Sequence, residues 1–144
     1  MNNPKSQARR SAVQALYQWQ LTGYDLSEIE RQFTEEHGLG KGELTYFSDL
    51  LHGVPKVLDE LDAALSEYTS RPIAQIDPVE RAILRLSSFE LLHRPEVPYR
   101  VAVNEGINLA KEFGANQSHK FINGILDKIA RKYRAVEAGA SGRT

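Results

Sequence analysis

Cysteine is absent from the 144 residues of this chain, and methionine and tryptophan each occur only once. The lack of cysteine excludes disulfide bonds and thiolate zinc sites, and it is typical of proteins in a reducing compartment. No segment approaches the roughly 20 consecutive apolar residues of a membrane-spanning helix. The alternation of apolar and polar residues that marks a half-buried strand is also missing. The sequence therefore predicts an all-α protein without a membrane segment, located in the cytoplasm.

Acidic residues are missing from the first 20 positions, which carry Lys5, Arg9 and Arg10. Residues 21–70 hold 3 basic and 11 acidic residues, whereas residues 100–144 hold 8 basic and 4 acidic residues. The net charge of −1 thus conceals two basic ends and an acidic middle. Such a separation can form a positive patch that attracts nucleic acid. The alternative is that these charges only solvate helix surfaces, and the distribution alone does not decide between the two.

Apolar residues recur at helical spacing along most of the chain. Pro55 interrupts the longest stretch and predicts a kink or break near Gly53, while Gly106 predicts a close contact between helices. Six helices are predicted. Three span residues 6–21, 43–68 and 99–113, and the other three begin at the capping residues Asp25, Asp77 and Ser118.

The segment 69–76 is the best candidate boundary between two halves of one domain. We expect the domain to span residues 1–136, with an N-terminal half of about 1–70 and a C-terminal half of about 77–136. Residues 137–144 are rich in glycine, alanine and serine and predict a flexible tail.

Catalytic and metal-binding patterns are weak. Residues 38–42 (GLGKG) resemble a phosphate-binding loop only superficially, because no strand precedes them and no serine or threonine follows the lysine to bind magnesium. The histidines at positions 37, 52, 93 and 119 lack the spacing of a zinc site. We therefore predict no catalytic residue, no metal site and no cofactor.

Two basic–aromatic pairs stand near the ends of the chain. Arg10 and Tyr17 lie on a flank of the first predicted helix, and Phe121 directly follows Lys120. An aromatic ring beside a cation suits the stacking of unpaired bases, which contributes about 1–3 kcal/mol per base. The pattern alone favours Phe121 and Tyr17 as core residues, whereas the occurrence of a basic–aromatic pair near each end of the chain favours the binding role, so both interpretations stay open.

Six strings, collinear from about Lys5 to Tyr133, are more specific. They are SAVQALYQWQL at 11–21, DLLHGV at 49–54, VERAILR at 79–85, VPYRVAVNE at 97–105, AKEFG at 110–114 and SHKFINGILD at 118–127. Together they resemble the NusB family of bacterial transcription antitermination factors. The resemblance implies two roughly perpendicular three-helix bundles that form one compact, non-catalytic domain.

The resemblance also implies partners. These are single-stranded boxA-type RNA from ribosomal RNA leaders, the ribosomal protein that doubles as NusE, and the RNA polymerase antitermination complex. Tyr17 and Glu80 correspond to partner-binding positions. The positions that correspond to RNA-binding residues are Lys5, Arg9, Arg10, Gln14, Tyr17, Gln117, Lys120, Phe121 and Asn123.

Two departures from the family pattern bear on these expectations. The N-terminal arm has fewer basic residues than many relatives, which predicts weak RNA binding without the partner. Gln117 stands where some relatives carry an acid, and the loss of that negative charge favours RNA. Two other functions are alternatives. One is a part of a ribosomal RNA methyltransferase, to which similar domains are fused, but without a Rossmann-like glycine motif or a catalytic cysteine this sequence is not expected to hold that activity. The other is a protein adaptor whose basic surface binds no RNA.

Overall fold

A computed structural model of the chain describes residues 3–137. These residues form seven α-helices and one short 3-10 helix, with no strand among them, which confirms the all-α prediction. The helices are α1 (Pro4–Thr22), α2 (Leu26–His37), α3 (Lys41–Lys56), α4 (Leu58–Ser66), α5 (Pro78–His93), α6 (Tyr99–Phe113) and α7 (Ser118–Tyr133), with the 3-10 helix at Ile73–Gln75.

Local capping explains where the helices start. The Asn3 side chain accepts a hydrogen bond from the Lys5 amide at 2.8 Å, and Pro4 supplies a first residue that needs no amide partner. At α5, Asp77 accepts from the amide of Glu80 at 3.3 Å, so the predicted start signal is confirmed. Gly23 ends α1 with a φ of 68°, a left-handed conformation that glycine adopts without a steric penalty.

The single helical stretch predicted over residues 43–68 is two helices. The chain breaks at Val57, where φ is −119°, and not at Gly53. Pro55 has no amide hydrogen to continue the helical ladder, and its ring crowds the preceding turn. Gly53 serves packing instead, because a Cβ atom placed there would lie 2.5 Å from the ring of Phe89.

Two sets of three helices share the core. The helices α1, α2 and α3 pack on one another, as do α5, α6 and α7, while α4 packs against α3, α5 and α7. The helix α5 contacts both sets, and residues 82–91 are buried on all sides. The division into halves near residues 70 and 77 stays a prediction. Of the predicted tail, residues 138–144 lie outside the described residues.

Gly106 lies at the crossing of three helices. A Cβ atom there would lie 2.7 Å both from Cδ1 of Leu126 on α7 and from Oγ of Ser87 on α5. These distances are shorter than van der Waals contact, so only glycine lets α6 approach this closely. The close helix contact predicted at Gly106 is confirmed.

We expect Gly106→Ala to lower the free energy of unfolding by about 1–3 kcal/mol, because the added methyl group overpacks the crossing. Gly124→Ala on α7 is the matched control, since nothing lies within 4 Å of its Cβ position. That change should raise stability by about 0.5–1 kcal/mol, the usual gain of alanine over glycine in a helix. Urea unfolding of both variants measures the difference, and equal effects would contradict the packing role of Gly106.

Candidate nucleic-acid interface

Arg9 lies inside the protein, where it pairs with a buried glutamate. Its guanidinium donates to both carboxylate oxygens of Glu90, with Nε distances of 3.1 and 3.0 Å, and its Nη1 lies 2.9 Å from Glu105. Arg9 is 2% exposed and Glu90 is fully buried. The prediction that Arg9 contacts RNA is therefore corrected: its guanidinium is enclosed between α1, α5 and α6.

Arg9 is held in a network of charges and hydrogen bonds. Burial lowers the pKa of Arg9, but the charge and hydrogen bonds of Glu90, together with the charges of Tyr46 and Glu105, hold that pKa above its ordinary value. The hydroxyl of Tyr46 also donates to Glu90, and burial together with this carboxylate raises the pKa of Tyr46. Ser6 donates to Glu105 at the outer edge. The network thus ties α1 to α3, α5 and α6.

The outer face of α1 carries three of the predicted site residues. Arg10 is partly exposed and pairs with Glu112 of α6 at 3.0 Å. Gln14 donates its side-chain amide to the carbonyl of Arg10 at 3.0 Å, and Tyr17 is 38% exposed. Helical spacing places the three within about 60° of one another, so they form one continuous strip on the surface.

Lys5 does not share this strip. It is exposed, but five positions along a helix turn it about 140° away from Arg10. Its ammonium lies 5.1 Å from the centre of the Tyr46 ring, within the range of a cation–π interaction. The structure therefore separates Lys5 from Arg10, although the two are near neighbours in sequence.

Tyr17 borders an apolar groove of about 440 Å³. The groove runs along the C-terminal half of α1, and Val79 at the start of α5 and Phe113 at the end of α6 close its other side. Leu21 lies one turn beyond Tyr17 and is 54% exposed. Exposed apolar surface that continues into a groove is typical of protein contact sites.

The predicted site residues at the start of α7 differ in exposure. Gln117, Lys120 and Asn123 are exposed, whereas Phe121 is half-buried and packs partly against the core. Phe121 therefore packs partly in the core and keeps part of its ring accessible, so neither alternative for this residue is excluded. Gln117 has a φ of 73°, the one positive φ of a non-glycine residue in the part of the chain that the structure describes. No side chain caps the amides of this first turn.

Ser118 and Glu80 connect α7 to α5. Ser118 was predicted as the cap of its own helix, but it is buried, and its hydroxyl donates to the Glu80 carboxylate at 2.7 Å. Glu80, which corresponds to a partner-binding position, is partly buried by this contact. Both findings have one cause: the starts of α5 and α7 lie side by side, which neither local sequence reveals.

A series of contacts links the helices that carry most of the predicted residues. The Arg10–Glu112 pair joins α1 to the end of α6, the groove joins Tyr17 to the start of α5, and Glu80 joins α5 to the start of α7. Sequence reasoning missed Glu112, Val79 and Phe113. The apolar spacing of α6 marks Phe113, but no local signal pairs Glu112 with a residue 102 positions away.

Other kinds of site are not evident in residues 3–137. No group of three or more histidine, aspartate or glutamate side chains there is arranged to hold a metal ion. No helix in this range combines the length and the apolar character needed to span a membrane.

Comparisons with known proteins agree over nearly the whole chain. The model of the NusB family matches residues 6–131. A transcription antitermination protein NusB from Nitrosococcus oceani is 53% identical over 137 residues, which cover 95% of this chain and 92% of the relative. Among solved structures, T. maritima NusB gives a TM-score of 0.81 at 29% identity, covering 92% of this chain and 94% of that one. A structure of antitermination factors NusB and NusE in complex with dsRNA gives 0.83 at 27% identity, covering 94% and 99%.

The two adjacent arginines of α1 should differ sharply when removed. Arg9→Ala leaves the Glu90 carboxylate buried without its cation, and we expect a loss of about 3–5 kcal/mol in the free energy of unfolding. Arg10→Ala breaks a partly exposed pair and should change stability by about 0–1 kcal/mol. Chemical denaturation of the two variants tests this. Similar small losses for both would show that the buried pair does not hold α1 in place.

Proposed function

The chain belongs to the NusB family, and from that premise we propose that it is a non-catalytic antitermination factor that binds RNA together with a ribosomal protein. The proposed RNA is a single-stranded boxA-type element of a ribosomal RNA leader, and the proposed partner is the ribosomal protein that doubles as NusE. Their complex would join RNA polymerase and suppress premature termination. The observation that carries the proposal is the line of contacts that runs from α1 through the groove to the start of α5, and from there through Glu80 and Ser118 to the start of α7.

The start of α7 supplies the chemistry for RNA. The first turn of α7 has no side-chain cap and carries the positive end of the helix dipole, which favours a phosphate group. Lys120 adds an exposed cation, and the accessible part of the Phe121 ring offers a surface for an unpaired base. Asn123, one turn further on, has an amide that can both donate to and accept from a base edge.

Arg10, Gln14 and Tyr17 extend this surface onto α1. The Arg10–Glu112 pair is partly exposed, so its stabilising effect is small and a phosphate can replace the carboxylate. Arg9 has a positioning role in this proposal, since its buried pair fixes the direction in which Arg10 points. Because Lys5 points away from Arg10, it would contact the RNA only if the strand continued around the start of α1.

The partner protein would bind at the groove. Tyr17 and Leu21 offer apolar contact area, and the groove beside them accepts an apolar side chain. Glu80 follows Val79, which lines the groove, and in this proposal its carboxylate pairs with a basic residue of the partner. Tyr17 lies on both surfaces, so RNA and partner would bind side by side.

An electrophoretic mobility shift assay separates this function from that of a protein adaptor. The RNAs are a boxA-like single strand, a scrambled single strand and a duplex of the same sequence, each with and without the ribosomal protein. The duplex is included because a structural neighbour is a NusB–NusE complex with dsRNA. We expect the boxA-like strand to bind most tightly, and the partner to strengthen binding because the arm has few free cations. Partner binding without any RNA shift would establish the adaptor instead.

Glu80→Lys should weaken partner binding and leave RNA binding by the free protein unchanged or slightly stronger, since it replaces a negative charge with a positive one. The change also removes the hydrogen bond from Ser118, so Ser118→Ala is the matched control: it loses that bond but keeps the carboxylate. Titration calorimetry with the ribosomal protein measures both. Equal losses in the two variants would assign Glu80 a structural role alone.

A further inference from the structure

The outer face of α6 carries a strip of polar residues that the site described above leaves out. Asn104, Asn108 and Lys111 are all exposed. Their spacing of four and three residues places them within about 60° of one another on the helix surface. They therefore form a single line that leads toward the C-terminal end of α6.

Within residues 3–137, no hydrogen bond or ion pair engages these three side chains. The neighbouring flank of the same helix is different, because Glu105 and Glu112 both bond to side chains of α1. Polar groups on that flank maintain the fold, whereas those on the strip remain available to a ligand.

The position of the strip relates it to the RNA surface. The helix α6 packs along α7 and is joined to α1 by the Arg10–Glu112 pair. Lys111 directly precedes Glu112, and Asn108 lies one turn before it. A strand that contacts Arg10 on α1 can therefore continue along the end of α6 that carries Asn108 and Lys111.

We propose that Asn108 and Lys111 form an additional contact with single-stranded RNA, in which Lys111 binds a phosphate group and Asn108 pairs with the edge of a base. This inference rests on the proposed RNA-binding function and adds a base-reading position to it. An asparagine amide presents a donor and an acceptor together, which lets it distinguish one base edge from another. The lysine ammonium attracts phosphate without regard to sequence.

The composition of the strip favours RNA over a protein ligand. Protein interfaces depend on a few buried aromatic or other large side chains at their centre. The exposed large apolar residue of α6 is Val101, which is 40% exposed and lies at the far end of the helix from Lys111. Amides and a cation without an apolar centre match the contacts that nucleic acid makes.

The test uses the full chain with its ribosomal partner and the boxA-like and scrambled RNAs. Lys111→Gln should reduce the slope of log affinity against log salt by about one and weaken both RNAs alike. Asn108→Ala should leave that slope unchanged but reduce the preference for the boxA-like strand by about tenfold. Matched controls in other parts of the protein are Lys56→Gln and Gln75→Ala, both at exposed positions.

A second measurement uses the unmodified protein. The side-chain amide resonances of Asn108 should shift in NMR spectra when the boxA-like RNA is added to the protein–partner complex, while those of Gln75 should not.

The melting temperatures of the four variants provide the control for folding. If they are unaltered, the substitutions act on binding.

The outcomes distinguish a failure of the α6 contact from a failure of the proposed function. If the unmodified complex binds RNA and both α6 variants match it in salt slope and preference, the inference about the strip is wrong and the proposed function stands. If the variants lose affinity for the ribosomal protein and not for RNA, the strip is a protein contact and the inference is wrong. If the unmodified complex binds none of the RNAs, both are overturned.

Discussion

The buried ion pair between Arg9 and Glu90 is the constraint on which the rest of the structure depends. A carboxylate with no exposure is very unfavourable inside a protein unless a cation and hydrogen bonds compensate for its lost hydration. Glu90 lies on α5, the helix that contacts both sets of three helices. Arg9 must therefore reach it from α1, and Tyr46 completes the hydrogen bonding from α3. The buried carboxylate thus joins three helices.

This constraint also determines which residues reach the surface. Successive residues on a helix point about 100° apart, so directing Arg9 inward turns Arg10 outward, toward Glu112 and the solvent. Gln14 and Tyr17 follow Arg10 on the same side. Two neighbouring arginines of identical chemistry thus have opposite roles, one in holding the helix and one at the surface proposed for RNA.

Local signals in the sequence were sufficient for the helices and for several of their ends. The Asp77–Pro78 start and the close approach at Gly106 depend on residues whose conformational or steric properties are visible without a partner. The residues that were misplaced depend on partners far away in sequence. Arg9 looked like one more cation of a basic arm, because nothing local identifies Glu90 as its counterion. The sequence indicates that Ser118 caps its own helix, whereas in the structure its hydroxyl bonds to Glu80 at the start of α5.

The site shows the same division. The resemblance to a known family predicts a site at the starts of α1 and α7, and the structure links α1, α5, α6 and α7 through Glu112, Val79 and Glu80. The groove and the strip on α6 could not be predicted, because each is formed by surfaces that meet only after the helices pack. Exposure decides which polar side chains are available, and exposure is a property of the folded chain.

The long sequence separation of these contacts has a consequence for the way the chain folds. Arg9 bonds to residues 81 and 96 positions later, and Arg10 to a residue 102 positions later. Most helical proteins fold quickly because their contacts are local, whereas distant contacts require the closure of long loops. During synthesis from the N-terminus, α1 leaves the ribosome before α5 and α6 exist, so it can pack on α2 and α3 while its two arginines still lack their partners. The helix that is made first thus receives its final ion pairs only when α5 and α6 follow.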